Sequence, residues 1–265
     1  MSTVTDRQIR APLHRCTFVL LVSALLCAPT SATGSPCAID VGTVLIVPAD
    51  CTHVISDPQT YNLVFVANRG VLELAAGAVL EIRNTLFIEP LGVFCFNADD
   101  GESPPILRAA GVLEITGPVT VGDPADGDGG AGGVIASETG ETWVVLKADG
   151  LIVADWGPLD IIADIENNGT IRASGNDPAR RTRISGAISP QSSGRFEVTD
   201  HENAKIIFDP GSRATITGGA HFDVRAGTLE FNDTIETLGG VRMLSGKIVV
   251  APGCMFSASG PFVEP

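Results

Sequence analysis

The sequence predicts an all-β protein wound as a single-stranded parallel β-helix, a solenoid of about ten to twelve coils. Three observations predict it. A glycine-led phrase with alternating apolar residues recurs along the chain. Its copies tend to return about every 20 residues. The composition, with 30 glycines and 44% hydrophobic residues, lacks long Ala, Glu, Lys and Leu runs at the helical period.

The phrase is Gly, any residue, then apolar-x-apolar. It reads Gly70-Val-Leu-Glu-Leu74, Gly111-Val-Leu-Glu-Ile115, Gly150-Leu-Ile-Val-Ala154 and Gly169-Thr-Ile-Arg-Ala173. It continues as Gly194-Arg-Phe-Glu-Val198, Gly227-Thr-Leu-Glu-Phe231 and Gly246-Lys-Ile-Val-Val250. Residues two apart on a strand face the same side. Leu72 and Leu74 are therefore expected inside and Glu73 in water. The same reading applies around Glu114, Glu197 and Glu230. The leading glycine is expected to supply the positive φ of a tight corner. A coil cannot bury its own apolar face, so stacking on the next coil must do it. A β-sandwich also has short strands between turn signals and is the alternative fold.

Three stretches interrupt the pattern: residues 97–110, 122–142 and 174–194. They are read as surface loops, where solenoids often bind.

Residues 1–32 have the parts of a secretory leader, leaving 33–265 as the solenoid domain. Arg7, Arg10, His14 and Arg15 precede the apolar run Cys16–Leu26, which is shorter than the ~20 residues of a spanning helix. Thr30-Ser31-Ala32 fits the cleavage rule. Cleavage would remove Arg7, Arg10, Arg15 and Asp6, moving the net charge from −14 to −16. Such a surface repels nucleic acid and anionic lipid. Mean hydropathy is positive at +0.26, yet no second apolar run reaches spanning length. The expected location is outside the cell, secreted or on the surface, without membrane insertion after cleavage.

Gly42-Thr-Val-Leu-Ile-Val-Pro48, Leu63-Val-Phe-Val66, the Gly70 and Gly77 phrases and Leu86-Phe-Ile-Glu-Pro-Leu-Gly92 resemble the opening coils of secreted β-helix proteins. These include the extracellular eight-glycine module and autotransporter or haemagglutinin-type passengers. Asn167-Asn-Gly-Thr-Ile-Arg-Ala-Ser-Gly175 is similar to a passenger repeat. The resemblance implies a right-handed parallel β-helix used at the cell surface. It carries over no catalytic residue.

Cys37, Cys51, Cys95 and Cys254 remain after cleavage. Cys37 and Cys51 are expected to form a disulfide that ties down the first coil, stabilising by ~3 kcal/mol in the chain-entropy model. Cys95 and Cys254 would lie too many coils apart to pair.

Candidate chemistry is sparse. Asp123, Asp126 and Asp128 in a glycine-rich loop could supply oxygen ligands to calcium, against a solvated loop as the bland reading. Asp99, Asp100 and Glu102 form a second acidic loop of the same status. Asp160 and Asp164 could share one strand face. Asp200-His201-Glu202 is the best single cluster, and His221 and Asp223 follow about one turn later. Trp143 and Trp156 could form a sugar-stacking patch or plug the core. The ligand-binding candidates are thus Trp143, Trp156, His201 and His221. No catalytic or cofactor motif is found. The expected function is a non-catalytic secreted or cell-surface solenoid for adhesion, matrix or envelope structure. Its expected partners are an extracellular glycan or surface protein, and it could be a module of a larger assembly. The alternative is a polysaccharide lyase or hydrolase acting on acidic glycans.

Overall fold

The computed structural model describes residues 37–99, 101–121, 130–137, 142–155, 157–175 and 181–263. Among them lie 27 strands and no helix, so no helix there is long and apolar enough to cross a membrane.

The strands stack as a parallel solenoid of about nine turns. One sheet holds ten strands in an unbroken ladder from Thr52–Ile55 to Phe262–Val263. This is called face 3. The opposite side starts as one sheet and forks. The long strand Val79–Ile88 shows why. Its first half pairs with Ile106–Ala109 and its second half with Leu113–Thr116. Later turns break the chain at that corner, giving face 1 and face 2. The face 2 line resumes near the end as Ala214–Ile216, Ile235–Thr237 and Phe256–Ala258. Parallel pairing excludes the sandwich. Among the described residues only strand β1 (Ile39–Asp40) pairs antiparallel, along the outer edge of strand β2 (Val44–Val47).

The core is a set of columns running along the stack. On face 3, Leu72, Phe94, Val119, Ile152, Ile171, Phe196 and Phe222 lie in register and are fully buried. On face 1, Leu80, Leu107, Ile135, Ile161, Ile184, Phe208 and Phe231 do the same. Each such side chain stabilises by about 1.5–3 kcal/mol relative to exposure. Toward the C-terminal end the columns become aromatic. Phe196 stacks on Phe222 at 5.2 Å and Phe208 on Phe231 at 5.0 Å.

The glycines act differently from expectation. Among the seven leading glycines only Gly227 has positive φ, at 71°. The others matter because the backbone of the previous turn passes close by. A Cβ on Gly70 would lie 2.8 Å from the Pro48 carbonyl oxygen, and one on Gly111 2.8 Å from that of Arg83. Positive φ falls instead at other corners, on glycines such as Gly77, Gly117, Gly211 and Gly219, on Asp200, and on the pair Asp50 and Arg69. These two corner residues form an ion pair at 2.7 Å from one turn to the next.

The three presumed loops each contain part of the solenoid. Ile106–Ala109, Gly133–Ser137 and Arg181–Ile184 are consecutive or near-consecutive face 1 rungs. Their short apolar alternation was masked by neighbouring Gly, Pro and charged residues. Turn length therefore varies, from 19 residues between Ile152 and Ile171 to 33 between Val119 and Ile152.

The Cys37–Cys51 disulfide is present, with Cα atoms 5.7 Å apart. It fastens the segment carrying β1 to the first turn. Tyr61 adds a second tie, its hydroxyl donating to Asp40 Oδ2 at 2.9 Å. Burial first, then Asp40, pushes the Tyr61 hydroxyl up to about 12. Cys95 is buried on face 3, its thiol 3.8 Å from the Leu72 carbonyl oxygen. Cys254 lies in the last turn, and the two are not bonded.

Candidate functional site

Most outward positions of a half-buried strand carry solvated polar groups. Face 3 departs from this. Its outward row runs Thr120, Val153, Arg172, Glu197, Asp223 and Arg242, one residue per turn. Glu197 and Asp223 point away from the core yet are buried, at 3% and 5% exposure. Glu197 was expected in water. Instead Arg172 lies over it, with Nε and Nη2 donating to Glu197 Oε2 at 3.0 and 2.9 Å. Arg225 treats Asp223 likewise, at 3.2 and 3.0 Å to Oδ2. That carboxylate raises the Arg225 guanidinium above its usual range, chiefly by the hydrogen bond.

Both pairs are stereochemically alike but differ at the second carboxylate oxygen. Glu197 Oε1 has Arg195 Nη1 at 3.8 Å. Asp223 Oδ1 is buried and accepts no hydrogen bond among the described residues. A buried carboxylate oxygen without a donor is costly.

Asp223 lines a shallow groove of about 190 Å³, together with Arg195, His221, Arg242, Pro261 and Val263. His221 stands opposite Arg195 in the ladder. The Gly240 N–H donates to His221 Nδ1 at 3.1 Å, which leaves Nε2 as the donor of the neutral ring. The groove therefore offers two guanidinium groups and an imidazole N–H. Such a donor set suits a ligand that carries a carboxylate.

At the other side of the cluster, burial raises the Asp155 carboxyl. Arg172 lowers it and Asp200 raises it, both more weakly.

The expected site residues are scattered. Asp123, Asp126, Asp128 and Trp156 lie outside the described residues. So does Asp100. No group of three or more His, Cys, Asp or Glu able to hold a metal occurs among the described residues. Trp143 opens the face 2 strand Trp143–Leu146, opposite Asp164 and partly buried. His201 and His221 do not meet. His221 begins a face 3 strand level with Arg195, whereas His201 sits in the corner beyond Val198. That corner is a turn closed by the Ala204 N–H to the His201 carbonyl, with Asp200 at φ 72°. Asp160 and Asp164 fall on separate strands of different faces. Arg183 of the basic stretch is engaged by Asp209 at 2.7 Å.

Arg172, Glu197 and Arg195 were not singled out from the sequence. A signal existed. Aligning Gly169-Thr-Ile-Arg with Gly194-Arg-Phe-Glu places Arg172 against Glu197, opposite charges in one repeat column.

No protein-family model, no curated protein and no solved structure matches the chain.

Proposed function

We propose that this protein is an exported, non-catalytic β-solenoid that serves adhesion, matrix or envelope structure by holding a glycan bearing carboxylate groups in the face 3 groove. The observation that carries this reading is the donor set of the groove, in which Arg195, Arg242 and the His221 imidazole N–H lie beside the buried Asp223 carboxylate that Arg225 holds. A uronate carboxylate satisfies the neighbouring guanidinium groups, whose planar donors suit it. The disulfide is compatible with an extracellular location.

Titration calorimetry with a purified uronate oligosaccharide and its neutral counterpart tests this. Binding of the uronate form alone is expected, weakened about tenfold or more by Arg195→Ala or Arg242→Ala. Equal affinity for both forms, or unchanged affinity in both variants, counts against the groove.

One observation favours a lyase or hydrolase acting on acidic glycans. The raised Asp155 carboxyl lies near Arg172 and Asp200, and a raised carboxyl is suited to proton donation. Turnover of the same oligosaccharides, lost in Asp155→Asn with the fold intact, would replace the non-catalytic reading.

A further inference from the structure

At the corner between face 3 and face 1, three successive turns take different paths. The first uses six residues, Thr199 to Ala204. The next two use three each, Arg225 to Gly227 and Leu244 to Gly246. The longer corner forms one wall of a groove of about 350 Å³, lined by Glu202, Asn203, Gly227, Ser245, Gly246 and Lys247. Gly227 lies between the walls. The ladder fixes its level, with the Thr228 N–H donating to the Ala204 carbonyl and the Lys247 N–H to the Gly227 carbonyl, each at 2.9 Å. A Cβ on Gly227 would overlap the Ala204 carbonyl oxygen, so no side chain fills the groove from its floor. The walls carry opposite charge. Of the three lysines in the chain, Lys147 pairs with Glu114 at 2.6 Å and Lys205 with Glu230 at 3.3 Å. Lys247 has no carboxylate partner among the described residues, and Glu202 has no cation. Glu202 belongs to the Asp200-His201-Glu202 cluster that stands out in the sequence, and the face 3 groove makes no use of it.

We propose that this corner groove binds a short peptide with free ends, its ammonium group at Glu202 and its carboxylate at Lys247. Two opposite charges that line one groove without pairing with each other match a ligand that carries both signs. Span selects a peptide over a single amino acid. The walls are two steps apart along the ladder, as Lys205, Thr228 and Lys247 are, which is roughly 10 Å. An extended chain advances ~3.3–3.6 Å per residue, so two or three residues cross the gap. Both charged side chains are exposed, so each contributes modestly and binding is weak. The groove shares no lining residue with the one on face 3, and the two sites are independent.

Two-dimensional NMR of the purified, disulfide-intact protein tests this, following the backbone amides of Gly227, Ser245 and Gly246 as triglycine is added. These amides are expected to shift, with a dissociation constant in the millimolar range. N-acetyl-triglycine lacks the ammonium group and triglycinamide lacks the carboxylate. Each is expected to bind about fivefold or more weakly than triglycine. Glu202→Gln should abolish the preference over the acetylated peptide and keep the preference over the amide. Lys247→Met should do the reverse. Both positions are exposed, so far-ultraviolet circular dichroism should stay unchanged. Absence of any shift at these amides overturns the proposal. So does equal binding of the three peptides, or variants that weaken all three alike. Free glycine binding as tightly as triglycine overturns it too, because one amino acid would then suffice.

Discussion

Gly169 lies so close to Gly150 of the preceding turn that a Cβ on Gly169 would overlap the Gly150 carbonyl oxygen. Gly194 stands in the same relation to Gly169. The three form a column in which backbone packs on backbone at one corner. Neither Gly150, Gly169 nor Gly194 has positive φ, so close approach is the reason for glycine here.

Gly169→Ala is therefore expected to destabilise the fold by about 2 kcal/mol, within the range for overpacking. Urea unfolding gives the comparison. The effect is steric, so Gly169→Ser should be at least as damaging. An alanine variant as stable as the parent would show that the corner relaxes freely.

Tyr61 is the sole tyrosine of the chain, so tyrosinate absorbance reports it alone. Its hydroxyl is expected to titrate near pH 12 in the folded protein and at about 10 once unfolded. A hydroxyl raised in this way favours the fold below the unfolded value. That contribution is lost as pH rises through about 12. Asp40→Asn should lower the folded midpoint. A folded midpoint at the ordinary value would mean that β1 is not seated on the first turn.

Asp155 gives a pH dependence at the acid end. Its carboxyl is raised by burial, so the folded state favours the protonated form. The contribution is fully present below the ordinary value of 3.8 and is lost as pH rises through the folded value. Asp155→Asn is thus expected to be more stabilising, relative to the parent, at neutral pH than at pH below that value. Paired urea titrations at the two pH values measure the difference. An Asn variant that is less stable relative to the parent at neutral pH than at the acid pH would reverse the sign.

The fold was legible because alternation survives local irregularity. Leu72 and Leu74, Leu113 and Ile115, and Leu229 and Phe231 all face inward, as the phrase requires. The first-turn disulfide was legible from position alone. The three-faced turn was not, because the glycine phrase marks different faces: Gly150 leads a face 3 strand and Gly111 a face 2 strand. Arg181–Ile184 was hidden for a related reason, its outward arginines making a core rung look like a surface loop. The groove was least legible. Asp223 was noticed for its nearness to His221 in sequence, but its burial depends on Arg225 folding back over it. Arg195 reaches the same place only through register with His221.

The in-register stack is tested most directly by distances between pairs of spin labels on outward face 3 positions. Thr120 and Arg242 are five steps apart along the ladder, and Glu73 and Arg242 seven. At ~4.8 Å per step, backbone separations of roughly 24 and 34 Å are expected, rising in proportion to the step count. Two distances that are equal, or a shorter one for the Glu73 pair, would contradict a continuous parallel stack.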